Sequence, residues 1–227
     1  MYDSLAQSAL TQLDDLTGTE LEAAETALFR QAIMESVRAT MWLGKTAREE
    51  GLNTFDGFLH RILSDAEEQE IPTEMYESVS ADNADERLRS VWDNASEELR
   101  NMRSEGQLAF FVTTDVYGAY EDSLEAADNE AAYRVRQDGP GSLMFKGIPV
   151  IDMKLGGYLA KYYDLGVSFI LLTDRRNLAL ALNTGDFPGS EVRMWYNPDL
   201  MENRQRAIFM AGCDYLLPEL VSLGYAQ

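Results

Sequence analysis

The chain has 227 residues, 45% of them hydrophobic and 26% charged, enough for one large domain or a domain with an extension and for a core that needs no staple. Its 19 basic and 39 acidic side chains leave a net charge of -20, which disfavours dedicated readers of nucleic acid and of anionic membrane surfaces. One cysteine, Cys213, excludes an internal disulfide and a cysteine-based zinc site, and one histidine, His60, excludes mechanisms that need two imidazoles. No apolar run is long enough for a membrane span, and the start MYDSLAQSALTQLDD lacks the basic and apolar regions of a secretory signal. A protein of a reducing compartment, or of something assembled there, is expected.

The acid is concentrated in front: residues 1–105 hold 23 acidic and 9 basic side chains, residues 106–227 hold 16 and 10. The segment from Thr19, TELEAAETALFRQAIMESVRATMWL, has no Gly or Pro and predicts a long helix. Thr17 or Thr19 caps its start, Glu20, Glu22 and Glu25 suit the positive end of its dipole, and Gly44, Lys45 and Arg48 mark its end. Phe29, Ile33, Val37 and Met41, with Leu21 and Leu28 close by, form its expected apolar stripe. A short amphipathic helix is expected over 54–65, an acidic connector holding Pro72 over 67–85, and a second helix over 84–102 with Leu88, Val91, Trp92, Ala95 and Leu99 on one face.

After Gly106 strands and helices alternate. The run 107–113 reads as a buried strand, 114–126 as a helix entered through Thr114-Asp115, and 138–141 as a turn. A strand over 143–152 is interrupted by Gly147 and Pro149. Further strands are expected at 168–173, 178–182 and 191–196, joined by turns holding Asp174, Asn177, Gly185, Pro188 and Gly189, and a last long strand runs over 205–217 up to Pro218. There is no internal repeat or low-complexity tract, and the class is α+β.

Chemical constellations are thin. His60 lies beside Arg61 on the short helix with no nucleophile to activate, and Cys213 sits in the apolar strand IFMAGCDYLL, where a free thiol behaves as a small hydrophobe. The acidic clusters Glu67-Glu68-Gln69-Glu70 and Asp14-Asp15 lack the alternating spacing of a calcium loop and read as solvated faces. Asp138-Gly139-Pro140-Gly141 lacks the spacing of a phosphate loop. Thr173-Asp174-Arg175-Arg176-Asn177 is the densest basic spot outside the helices, either a strand-ending turn or a place for ion pairing at an interface. Trp195, Tyr196 and Phe209 lie on strands, as core or contact area. No catalytic, metal or cofactor-binding residues are assigned, and a structural role is favoured over an enzymatic one.

Six segments in order resemble the major capsid protein of tailed double-stranded DNA bacteriophages, the fold named for phage Hong Kong ninety-seven. DLTGTELEAAETALFRQAIMESVRATMWLGKTA resembles its spine helix with the aromatic-Gly turn, and FDGFLHRIL the Asp-Gly-Phe-Leu segment beyond. QLAFFVTTDVYGAYEDSL resembles a strand leading into an aromatic-rich helix, FKGIPVIDM the Gly-Ile-Pro-Val strand of the A domain, and FILLTDRRNLALAL the hairpin that follows. EVRMWYNPDLMENRQRAIFMAGCDYLLPELV resembles the terminal P-domain strands. The resemblance spans about residues 15–222.

It implies an α+β capsid fold with a short N-terminal segment (1–18), a spine helix and helical P-domain part with connector (19–105), an A domain (106–175), and a closing hairpin with P-domain strands (176–227). The family's N-terminal arm and E-loop hairpin have no counterpart in the roughly 18 residues before the helix, which implies a shortened form or an upstream piece processed off or supplied by another polypeptide. It further implies self-assembly into pentamers and hexamers of an icosahedral virion shell built in the host cytoplasm. That shell encloses double-stranded DNA without sequence-specific binding and meets portal, scaffolding and decoration proteins. An encapsulin-type compartment shell shares the fold, and a soluble acidic α+β enzyme or binding protein is the rival from another class.

Overall fold

Two runs of apolar residues, LAFFV and FILLTD, become neighbouring strands in the computed structural model, which describes residues 15–126, 143–162, 168–183 and 192–226. The helices are α1 (Glu20–Leu43), α2 (Phe58–Asp65), α3 (Ala84–Asn94), α4 (Glu97–Asn101), α5 (Thr114–Ala126) and α6 (Gly156–Tyr162). The strands are β1 (Thr73–Tyr76), β2 (Leu108–Val112), β3 (Leu143–Phe145), β4 (Ile148–Asp152), β5 (Phe169–Asp174), β6 (Leu178–Leu182), β7 (Arg193–Asn197), β8 (Glu202–Arg206), β9 (Ala211–Tyr215) and β10 (Val221–Ala226). The protein is α+β with a mixed sheet, and the chain divides into two compact units, residues 39–179 with 213–227 and residues 1–38 with 180–212.

The first of these units is built on a six-stranded sheet of order β1-β10-β5-β2-β4-β3. β1 runs parallel to β10 and β2 parallel to β4, while the β10–β5, β2–β5 and β3–β4 pairs are antiparallel. Side chains alternate across a strand, and here both faces are covered. On one, Phe110, Val112, Ile170 and Leu172 pack with Leu88, Val91, Trp92 and Leu99 of α3 and α4 and with Val116 and Tyr120 of α5. On the other, Phe111 and Phe169 meet Trp42, with ring centroids 5.4 and 5.9 Å away, and Trp42 meets Phe58 of α2 edge-on at 5.4 Å. Burial on both faces is why β2 and β5 read as unbroken apolar runs.

The last turn of α1 is locked to the start of α2 by two glycines. The Gly57 amide donates to the Gly44 carbonyl at 2.9 Å. A Cβ on Gly44 would lie 2.2 Å from the Phe55 carbonyl oxygen, and one on Gly57 2.6 Å from that of Thr40. Gly44 and Gly57 therefore serve close backbone approach, with no side chain tolerated.

Several expected elements differ in the structure. The helix expected over 54–65 starts only at Phe58, after an extended Gly57. The helix expected over 84–102 breaks at Ala95, because the Ser96 hydroxyl accepts from the Leu99 amide at 3.0 Å and starts a new helix, while donating to the Glu219 carbonyl. The acidic connector holds β1. The interrupted strand at 143–152 is a hairpin whose two-residue turn, Lys146-Gly147, has positive φ at both positions (50° and 79°), the geometry that matches strand twist. The strand expected over 205–217 is two, β8 and β9, separated by residues 207–210. β10, inside the sheet, has no counterpart among the expected strands.

The second unit contains the first part of α1 and the antiparallel β7–β8 ribbon, with Arg193 opposite Arg206 and Trp195 opposite Arg204. Thr19 caps α1 as expected: its hydroxyl accepts from the Glu22 amide at 3.2 Å and donates to the Leu16 carbonyl at 2.6 Å. The Leu16 amide donates to Asn203 of β8, and Gln205 donates to the Thr26 hydroxyl. β6 and β9 form a two-stranded sheet. The turns expected at 138–141 and around Gly185, Pro188 and Gly189, and Asp14, lie outside the described residues.

Candidate functional surface

The segment Thr173–Asn177, singled out for its charge, is an internal clamp. The Asp174 carboxylate, buried at the end of β5, accepts from the Arg176 amide at 2.7 Å and from the Arg176 guanidinium at 2.7–3.0 Å, and Arg176 also pairs with Glu105 at 2.7 Å. The hydrogen bond from Arg176 holds the Asp174 carboxyl below the usual carboxylate range. Asn177, only 2% exposed, donates to Thr173 and to the Leu217 carbonyl and accepts from the amides of Leu216 and Leu217. Its side chain thereby ties the end of β5 to the turn that leads into β10. The geometry fills the strand-ending turn, and the ion pairs of Arg176 close within the chain, while Arg175 is exposed.

His60 is half-buried, 3.9 Å from the Asp56 carboxylate four residues earlier. Cys213 is buried against the end of α1, its thiol pointing to the Asp56 and Met41 carbonyls at 3.3 and 3.5 Å. Burial pushes the thiol pKa up to about 12, so at neutral pH it is protonated and unreactive. Titration with a thiol reagent at pH 7.5 is expected to modify Cys213 only after a denaturant unfolds the protein; rapid modification of the native chain would place the thiol at the surface. Glu67, Glu68 and Glu70 are exposed, and among the described residues no three His, Cys, Asp or Glu side chains converge as a metal site. No described helix is long and apolar enough to cross a membrane.

The surface is less ordinary than the interior. Of the large apolar side chains exposed among the described residues, nine of thirteen belong to the unit of residues 1–38 and 180–212, whereas only Leu16 and Val37 of the buried apolar set do. Leu21, Leu28 and Met34 stand exposed along α1, Leu28 at 67%, while Phe29 and Ile33 of the expected stripe are half-buried and Val37 is buried. Trp195, expected as core or contact area, is 42% exposed on β7, while Tyr196 and Phe209 are half-buried. Leu200, Met201, Ile208 and Met210 are exposed nearby in sequence, Met210 at 70%. Isolated exposed apolar residues are ordinary, but nine among the described residues of one small unit, against two buried ones, leave apolar surface for an association to cover. Sequence marked Trp195 but not this imbalance, because period-two alternation on β7 and β8 defines two faces without saying which one is covered.

No family model and no curated protein matches the sequence. Among solved structures the chain is similar to one from Mycobacterium phage Che8, at 15% identity and a TM-score of 0.46, over 73% of this chain. The matched part covers 57% of that phage chain, less than two thirds of its length.

Proposed function

We propose that the chain is a structural virion protein: a major capsid subunit that assembles with copies of itself into an icosahedral shell around double-stranded DNA. The observation that carries the reading is the unit of residues 1–38 and 180–212, where among the described residues only Leu16 and Val37 are buried apolar side chains while nine large ones are exposed. Such a surface is covered when subunits associate. The order of sequence segments that resemble the tailed-phage capsid family supplies the particular architecture: spine helix, A domain and P-domain strands. The role is non-enzymatic, the partners are other copies in pentamers and hexamers together with portal, scaffolding and decoration proteins, and the DNA is enclosed without being read. A shell subunit makes head-to-tail contacts that close into rings. Negative-stain microscopy of the purified protein is expected to show closed particles of uniform diameter with five- and six-subunit clusters. Monodisperse small oligomers with no ordered particles would contradict the reading.

A further inference from the structure

The outer face of the β7–β8 ribbon carries a charge pattern opposite to that of the chain. Residues 192–212 hold three arginines against Asp199 and Glu202, a balance of +1 in a protein of net charge -20. The register sets Arg193 directly across from Arg206 and Trp195 across from Arg204, and all four side chains are exposed. Arg204 is engaged by Glu202 at 2.5 Å. Arg193 and Arg206, by contrast, are like charges on directly opposed positions of a two-stranded ribbon, an arrangement that costs stability unless an anion lies between them. With Trp195 and Ile208 they line a cavity of about 390 Å³. Two guanidinium forks beside an indole face and an aliphatic side chain fit a carboxylate carried on a partly apolar surface.

We propose that this face is a contact that receives carboxylates from the acidic surface of a second copy of this chain. The inference rests on the self-assembly reading and names one of its contacts. Charge complementarity selects the occupant: the chain itself offers 39 carboxylates, and its overall negative charge repels nucleic acid. The exposed Ile208 lines the same cavity as the two arginines, so charge and apolar surface coincide there.

The test compares wild type with R193E/R206E by light scattering at about 0.05 and 0.5 M salt. Replacing one like-charged pair by another leaves the repulsion within the ribbon matched, and circular dichroism checks the fold. Wild type is expected to assemble at low salt and the variant to associate at least ~10-fold more weakly. In a second variant, R193K/R206K, carbodiimide coupling of mixed isotope-labelled and unlabelled chains is expected to join position 193 or 206 to a carboxylate of a different chain. Equal assembly of wild type and R193E/R206E, or links confined to one chain, would overturn this contact and leave the shell reading standing. A salt-sensitive wild-type dimer lost in R193E/R206E would uphold the contact and remove the shell. A monomer at every salt would remove both. Binding of a DNA oligonucleotide that R193E/R206E abolishes, with assembly unchanged, would assign the face to phosphate and overturn the proposal.

Discussion

Gly44→Ala is expected to destabilise the protein by about 3–5 kcal/mol, at the upper end of single substitutions. The added methyl would sit 2.2 Å from the Phe55 carbonyl oxygen, a backbone atom that cannot swing aside as a side-chain tip does. Relief requires the 55–57 segment to retreat, which breaks the hydrogen bond from Gly57 to Gly44 and pulls Phe58 away from Trp42. Trp42 bridges Phe58, Phe111 and Phe169, so the displacement reaches the sheet. Gly57→Ala is expected to act on the same junction, with its methyl 2.6 Å from the Thr40 carbonyl oxygen. Gly118→Ala is the matched control: it lies in α5 with nothing within 4 Å of the new methyl, and alanine is the better helix former by about 1 kcal/mol. Thermal unfolding followed by circular dichroism should lower the midpoint for Gly44→Ala by roughly 10 °C while Gly118→Ala holds or raises it. A Gly44→Ala midpoint within a degree or two of wild type would show that the junction is not closed as described.

Asn177→Leu is the second large effect, about 3–4 kcal/mol, because it keeps volume while deleting a buried amide. The Leu217 carbonyl loses the donor at 3.0 Å and its amide the acceptor at 2.8 Å, both supplied by a side chain that is 2% exposed. Thr173, which donates to the Leu220 carbonyl at 2.6 Å, loses its second partner. What these bonds hold is the turn that delivers β10 into the sheet between β1 and β5. The loss is therefore expected to surface first as faster amide exchange along β10, including Leu223, whose amide donates to the Pro72 carbonyl at 2.9 Å. Unchanged exchange along β10 with unaltered stability would contradict the clamp.

The sequence made the elements with the simplest physics legible. α1 was readable from its Thr19 cap and its lack of breakers, β2 and β5 from runs that are apolar because both faces are buried. β10 was not readable. Its segment, VSLGYA, is diluted by Ser222 and Gly224, and both residues answer to neighbours distant in sequence. Ser222 donates to the Val91 carbonyl at 2.8 Å, and a Cβ on Gly224 would lie 2.8 Å from Val91 and 3.2 Å from Tyr76. A residue that looks like a strand breaker is there because α3 and β1 crowd the sheet. The break at Ala95–Ser96 was hidden for a related reason: Leu88, Val91, Trp92, Ala95 and Leu99 are all buried as a single helix would bury them, and only the Ser96 cap, fixed by a carbonyl of the 218–220 turn, reveals two.

The candidate surface was half legible. The charge of Thr173–Asn177 drew attention to a segment whose job is internal, whereas the Arg193–Arg206 opposition exists only once the ribbon register is known. Composition had shown Arg outnumbering Lys by 15 to 4, the residue suited to paired carboxylates, without saying where those carboxylates come from.

The most direct test of the self-assembly account is the native mass of the purified protein by light scattering at low salt. The account predicts closed particles in the megadalton range, many times the 25.5 kDa chain. A clean 25.5 kDa monomer across the accessible concentration range would contradict it, and would mean that the apolar surface of residues 1–38 and 180–212 is covered by something other than another copy of this chain.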